Sequence, residues 1–229
     1  MSNKITIWHI SDTHTFHSLL KEPEQIDIVM HSGDATNPRD KYKSEYEMRN
    51  FLEWYSSLNI KYKIFVAGNH DLCIERGLIN HKDFESKGIM YLQDEEVIVE
   101  GLKIYGSPWT PTFGEGWAFN RSRDKMHQVW DKIAVDTDIV VTHGPPKGIL
   151  DLSYDRNNIL EFCGDLSLKK SMAFIQPKLV CFGHIHNCDN IINAGTRMVA
   201  NSDTIYSNGS VVTDGRFGYC SSNGNIFEL

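Results

Sequence analysis

No apolar run in the chain approaches the roughly 20 residues that a membrane-spanning helix needs. Its polar opening, Met1-Ser2-Asn3-Lys4, leads directly into a strand-like run without the pattern of a secretory leader. A soluble, cytoplasmic protein with no membrane partner is therefore expected. Cysteine is scarce: Cys73, Cys163, Cys181, Cys188 and Cys220 are odd in number and contain no C-x-x-C pair. This excludes a disulfide framework and a thiolate zinc site, and the thiols are expected to be reduced and inert, Cys73 included. Basic runs are missing too. Lys61-Tyr62-Lys63 and Arg121-Ser122-Arg123 are short and interrupted, the formal charge is −7 and the pI lies near 5.8. An extended nucleic-acid surface, which depends on many Lys and Arg contacts to phosphate, is thereby excluded. No repeat, low-complexity segment or break divides the 229 residues, of which 41% are hydrophobic, so 1–229 is read as a single domain with one sizeable core.

What the chain does have is a series of short apolar runs that end in metal-ligand residues. The clusters are Asp12-Thr13-His14, Gly33-Asp34, Gly68-Asn69-His70-Asp71, His143-Gly144 and Gly183-His184-Ile185-His186. Runs such as Ile64-Phe65-Val66-Ala67 and Val140-Val141-Thr142 have the character of buried strands. A ligand just beyond such a run sits where the strand leaves its sheet, so five edges can converge on one place. A lone histidine at a strand end is more often a hydrogen-bonded structural residue. Here, however, five of the ten histidines (His14, His70, His143, His184, His186) fall in the clusters. Of the others, His9 and His31 lie inside apolar runs and are expected in the core. His81 and His127 are read as surface or half-buried, and His17 as a solvated loop residue.

The donor chemistry points to two divalent ions. Asp12 and His14 are two residues apart, so on an extended segment both would project to one face and hold one ion, and His184 and His186 repeat that spacing. Asp34 has two carboxylate oxygens with which to bridge, Asn69 offers a carbonyl oxygen and His143 an imidazole nitrogen. Ions bridged at about 3.5–4 Å suit hydrolysis at phosphorus, with a hydroxide held by the ions attacking in line with the leaving oxygen. Two such ions against the charges of Asp12 and Asp34 leave roughly +2, which an anionic phosphate ester would complete.

In this order and spacing the blocks resemble the calcineurin-like metallophosphoesterases, over essentially residues 5–210. Tyr91-Leu92-Gln93-Asp94, Ile104-Tyr105-Gly106-Ser107-Pro108-Trp109-Thr110-Pro111 and Thr142-His143-Gly144-Pro145-Pro146 are similar to the small metallophosphoesterase-domain branch, whose characterised members include cyclic-nucleotide phosphodiesterases. The resemblance implies a first metal on Asp12, His14, Asp34 and His186 and a second on Asp34, Asn69, His143 and His184. It makes His70, with Asn69, a phosphate-facing residue and the candidate acid for the leaving group, with Asp71 orienting it. Some animal members of the branch carry Gly in place of the first histidine of the last block. This chain keeps His184.

The expected fold class is α/β. Helical spacing predicts a helix over about 42–58 (Met48, Phe51, Leu52, Tyr55, Leu58), another around Met126, Val129, Trp130 and Ile133, and a third around Leu168, Met172 and Ile175. Strand and helix alternate from 5 to 70, and glycine-broken runs after about 190 are read as a second strand-rich layer. The family resemblance implies a two-sheet β-sandwich flanked by helices, with the metal site at the carboxyl ends of strands. Ser107 to Asn120 is a long aromatic loop, and Trp109 is its favoured pocket-lining, substrate-binding ring.

The expected function is hydrolysis of small phosphodiesters or phosphomonoesters, nucleotides or cyclic nucleotides among them, with manganese as the first choice of metal and iron, zinc, cobalt or nickel compatible with the same ligands. The competing readings are a nucleotide-binding or scaffold protein of low turnover, a nuclease, and a protein phosphatase. Protein phosphatases of the superfamily usually carry Arg after the second block and before Gly-Asn-His. Here Ala35-Thr36-Asn37-Pro38 follows Asp34 and Ala67 precedes Gly68, which counts against the last.

Overall fold

The computed structural model describes residues 4–37, 40–155, 157–188, 190–213 and 218–229. Met1 to Asn3 of the polar opening, Pro38 and Arg39 before the first helix, and Gly215 of the glycine-broken tail lie outside the described residues. In chain order the elements are β1 (Thr6–Ile10), β2 (Ile28–His31), α1 (Lys41–Ser57), β3 (Tyr62–Phe65), α2 (Leu72–Glu75), α3 (His81–Glu85), β4 (Met90–Tyr91), β5 (Glu95–Val99), β6 (Leu102–Ser107), β7 (Thr110–Pro111), β8 (Asn120–Arg121), α4 (His127–Trp130), β9 (Ile139–Thr142), β10 (Leu152–Tyr154), β11 (Leu160–Phe162), α5 (Leu166–Ile175), β12 (Leu179–Phe182), β13 (Gly195–Met198), β14 (Ile205–Asn208) and β15 (Asn225–Glu228).

Two sheets carry the architecture. The first has the order β15-β1-β2-β3-β4 and the second β13-β14-β12-β9-β6-β5. In each the central strands are parallel, and only edge strands run antiparallel: β15 in the first, β13 and β5 in the second. Alternation along the strands explains the layering. In β1, Ile7 joins Ile28, Met30, Ile64, Ile104, Val141 and Cys181 in the core between the sheets, while Trp8 and Ile10 turn outward onto the helices. Helix α1 covers that outer face with Met48, Phe51, Leu52 and Tyr55, all buried and spaced by three or four residues. Asp40 starts it, accepting from the main-chain N–H groups of Tyr42 and Lys43 at 3.0 Å. The hydroxyl of Tyr55 donates to the Ile64 carbonyl at 2.8 Å and ties helix to sheet. On the opposite side α4 and α5 cover the second sheet through Val129, Trp130, Leu168 and Met172.

Two expectations about elements need correction. The segment around Met126 forms a helix of one turn, His127–Trp130, because Met126 and Ile133 are buried from flanking turns and not from a continued helix. The strands after residue 190 do not form a layer of their own. β13 and β14 extend the sheet that β5, β6, β9 and β12 build, and β15 returns to pair with β1 in the other sheet. Hydrophobic alternation marks a strand without saying which sheet it joins.

His9 and His31 are fully buried, as their positions in apolar runs predicted. His9 bridges the sheets, with its ring nitrogens 2.7 Å from Ser207 Oγ and 2.9 Å from Ser32 Oγ. Burial pushes its pKa down from 6.5 to about 3. The unfolded chain would take up a proton below pH 6.5 where the folded chain does not, so the stability His9 contributes is present above that pH and lost as pH falls toward 3. Urea melts in the presence of chelator should therefore show wild type losing about 2 kcal/mol more than His9→Asn between pH 7 and pH 5. Identical losses in the two proteins would mean that His9 titrates in the fold as it does in the unfolded chain.

His17 departs from the expected loop setting. It is buried, its ring packs on Phe51 and Trp54, and its Nε2 lies 3.0 Å from Asn50 Oδ1. Burial raises the thiol of Cys73 to about 12, which keeps it inert.

Candidate metal centre

The ligand-type residues come from adjacent strand ends. Asp12 and His14 follow β1, Asp34 follows β2, and Asn69 and His70 follow β3. His143 follows β9, and His184 and His186 follow β12. They meet in three overlapping groups: Asp12 with His14 and His186, His14 with Asp34 and His70, and Asp34 with His143 and His184, the ligand atoms in each lying within 4.8 Å of one another. Asp34 is shared by the last two, its Oδ2 lying 3.3 Å from His143 Nε2, 3.9 Å from His14 Nε2 and 4.0 Å from His70 Nε2. Its other oxygen, Oδ1, accepts the main-chain N–H of His70 at 2.8 Å. A single oxygen thus faces both clusters, rather than one carboxylate oxygen toward each.

Local backbone explains how the chain achieves this. Asp12, His14, Asp34 and His184 all have positive φ (52°, 40°, 59° and 68°), a conformation that non-glycine residues hold only where the surroundings enforce it. Ligand spacing along an extended strand is consequently the wrong geometry. Asp12 and His14 still share a cluster, but His184 and His186 part, His186 to the group of Asp12 and His14 and His184 to that of Asp34 and His143. The glycines of the blocks leave room for ligands from other blocks. A Cβ on Gly33 would come 2.5 Å from His143 Nδ1, one on Gly68 would collide with Asp34 Oδ1, and one on Gly183 with Asp12 Oδ2.

Main-chain carbonyls set the imidazoles. Nδ1 of His14 donates to Thr36 O at 3.0 Å, Nδ1 of His143 to Ser32 O at 2.9 Å and Nδ1 of His70 to Asn37 O at 2.6 Å. Each ring therefore turns Nε2 inward, the arrangement expected of imidazole ligands braced from behind. Asp12 is braced as well, by Ser210 Oγ (2.8 Å) and the main-chain N–H of His184, while His186 Nε2 stands 3.0 Å from its Oδ1. No sequence signal marked Ser210.

Electrostatics shows what the site wants. Burial opposes ionisation of Asp12 and Asp34, yet the surrounding imidazoles hold both carboxyls well below their usual range. Burial should likewise lower His143, but the Asp34 carboxylate wins and raises it to about 9. The pull of the Asp34 carboxylate on this fully buried ring marks a point where positive charge is favoured. The ring's Nε2 lies 2.9 Å from Asn69 Oδ1 and beside Asp34 Oδ2. Divalent ions fit this nitrogen and oxygen donor set, with Asp12, His14, Asp34 and His186 on one side and Asp34, Asn69, His143 and His184 on the other.

Two expected roles are not what the structure places there. Asp71 does not reach the ring of His70. Its buried carboxylate accepts main-chain N–H groups from Asp34 (3.0 Å), Thr36 (3.1 Å) and Gly68 (2.8 Å), binding the second block to the third. The group that orients His70 is the Asn37 carbonyl. Trp109 does not line the cleft either: its Nε1 donates to Asp94 at 3.2 Å and its ring packs edge-on to Phe119. The cleft, of about 310 Å³, is lined instead by Phe113 and Trp117 from the same loop, beside His14, Asp34, Asn69, His70, His184 and His186. The ring of Trp117 lies 4.7 Å from that of His70, and Phe113 lies 5.0 Å from His184. The loop's aromatic content pointed to the right segment. The tight turn that returns Phe113 and Trp117 to the cleft had no sequence signal strong enough to choose between rings.

The two-sheet scaffold and its convergent donors thus define a cation site built from strand ends. Residues 5–188 match the family model described as calcineurin-like phosphoesterase, and the chain belongs to that family. It is similar to metallophosphoesterase domain-containing protein 1 of Homo sapiens, 34% identical over 89% of this chain and 65% of that protein, so it spans just under two thirds of that relative's length. A UPF0046 protein of Caenorhabditis elegans is 33% identical over 87% of this chain and 75% of its own length. The crystal structure of a phosphopantetheinyl hydrolase from Mycobacterium tuberculosis shares the fold, with a TM-score of 0.55 at 13% identity over 92% of this chain and 90% of that one. Among the described residues no helix is long and apolar enough to cross a membrane.

Proposed function

We propose that the protein is a phosphoesterase dependent on two divalent metal ions, acting on small phosphodiesters or phosphomonoesters with nucleotides among them. The observation that carries this reading is the convergence of three backbone-braced imidazoles on Asp34 Oδ2 in a cleft wide enough for a small ester. Ions held by the two ligand sets would supply Lewis acidity toward phosphate oxygens and an activated water as nucleophile. The chain's own part is then specific. Asp34 holds the two ligand sets in register, and Asn69 presents its carbonyl oxygen beside His143. His70, with Nδ1 anchored on Asn37, directs Nε2 into the cleft, where it holds phosphate and gives a proton to the departing oxygen. Phe113 and Trp117 flank the ester with apolar surface.

Stripping the protein of metal should abolish hydrolysis of a simple diester such as bis(4-nitrophenyl) phosphate, and added manganese should restore it. Undiminished activity in protein shown by elemental analysis to be metal-free would defeat the proposal. The same assay separates an enzyme from a binding or scaffold protein, which would take up metal without turnover.

A further inference from the structure

A second cavity, of about 420 Å³, opens beside the metal cleft and shares Phe113, Ser153, His184 and Ile185 with it. It is of the size of small-molecule sites. Its remaining wall is built by the β10–β11 ribbon, which brings Tyr154, and by the turn at Gly144 and Pro145. Tyr154 and Phe113 are 38% and 42% exposed, so neither large side chain is fully covered by protein. Charge in this cavity differs from that in the cleft. Among the described residues that line it, Asp155 and Glu161 stand against one guanidinium, that of Arg123, which is already bonded to the carbonyls of Gly164 (3.2 Å) and Cys163 (3.0 Å).

We infer that this cavity is the subsite for one ester arm of a phosphodiester substrate, and that it takes a flat, apolar alcohol without negative charge. The inference rests on the phosphoesterase reading above. Continuity with the cleft through four shared residues allows a phosphate at the metal centre to extend an arm into the cavity without leaving the donors. Two partly uncovered aromatic side chains suit a planar group, and an excess of carboxylate repels an anionic one. Which arm it takes also follows. His70 lines the first cleft and not the second, so the arm beside His70 and Trp117 is the one that leaves. Water adds to phosphorus, the phosphorus–oxygen bond to that arm breaks, the departing oxygen takes a proton, and the product is the monoester of the alcohol held in the second cavity.

The test uses manganese-loaded protein and two readouts. In calorimetry, 2-naphthyl phosphate, the product-like ligand, should bind about tenfold more tightly than methyl phosphate, and 6-sulfo-2-naphthyl phosphate should lose that advantage. Tyr154→Ala should collapse the naphthyl-to-methyl ratio toward one, whereas Tyr154→Phe, which keeps the ring, should preserve it. In turnover of phenyl 2-naphthyl phosphate, whose two arms leave with similar ease, wild type should release mainly phenol, and Tyr154→Ala should shift the products toward an even mixture. Equal affinity for the methyl and naphthyl esters, or a binding and product ratio untouched by Tyr154→Ala, would overturn the subsite while leaving the phosphoesterase reading intact. Failure of every phosphate ester, methyl phosphate included, to bind the metal-loaded protein would overturn both.

Discussion

Asp34→Asn is expected to cost metal at both ligand sets together and to reduce turnover to background. The substitution keeps shape and leaves Oδ1 or its amide counterpart near the His70 main chain, but it removes the charge on the one oxygen that three imidazoles face. Residues that merely support metal ligands typically change affinity by about 10–100-fold, and the shared ligand should exceed that range. Equilibrium dialysis against manganese, read beside kcat on a simple diester, measures both effects. Loss of only one ion per chain, with the other retained at wild-type affinity, would show that Asp34 is not the bridge.

His70→Ala should behave differently. The ring lies in the cleft, its Nε2 is 4.0 Å from Asp34 Oδ2, and its Nδ1 is committed to Asn37 O. If it protonates the leaving oxygen, metal content should match wild type while kcat falls by about 10²–10⁴-fold, the range for a general acid. Esters of 4-nitrophenol, which depart without help, should suffer much less than esters of alkyl alcohols. Because His70 also belongs to a group with His14 and Asp34, metal analysis of the same variant is decisive. Lost metal would make it a ligand, and equal losses for good and poor leaving groups would make it a phosphate-holding residue only.

The gathering of the five blocks was legible because ligand-type side chains directly after apolar runs must emerge from one end of a parallel sheet. Helices α1 and α5 were legible for the same kind of reason, since their buried residues repeat every three or four positions. What failed were inferences that needed the path of the chain beyond a strand end. Alternation by two assumed extended backbone at His184, where φ is 68°. Adjacency in sequence suggested Asp71 as the partner of His70, although the Asp71 carboxylate is occupied by N–H groups from three other residues. Trp109 was favoured for its place between prolines, yet Asp94 already claims its indole N–H. His17, which follows the first metal block closely, was read as a solvated loop residue, while Phe51 and Trp54 close over it from α1. The Asp71 error replaced a three-dimensional neighbour with a sequential one.

The donors divide between the two sheets: Asp12, His14, Asp34, Asn69 and His70 hang from one, and His143, His184 and His186 from the other. Each proposed ligand set draws on both. An ion bound there would act as a clasp across the open edge of the sandwich, resisting any motion that parts the layers. At 100 times its dissociation constant, an ion that binds only the folded chain adds about 2.7 kcal/mol. Loading and tightening would thus be one event, and the apo protein would be the looser of the two at the very edge where substrate enters.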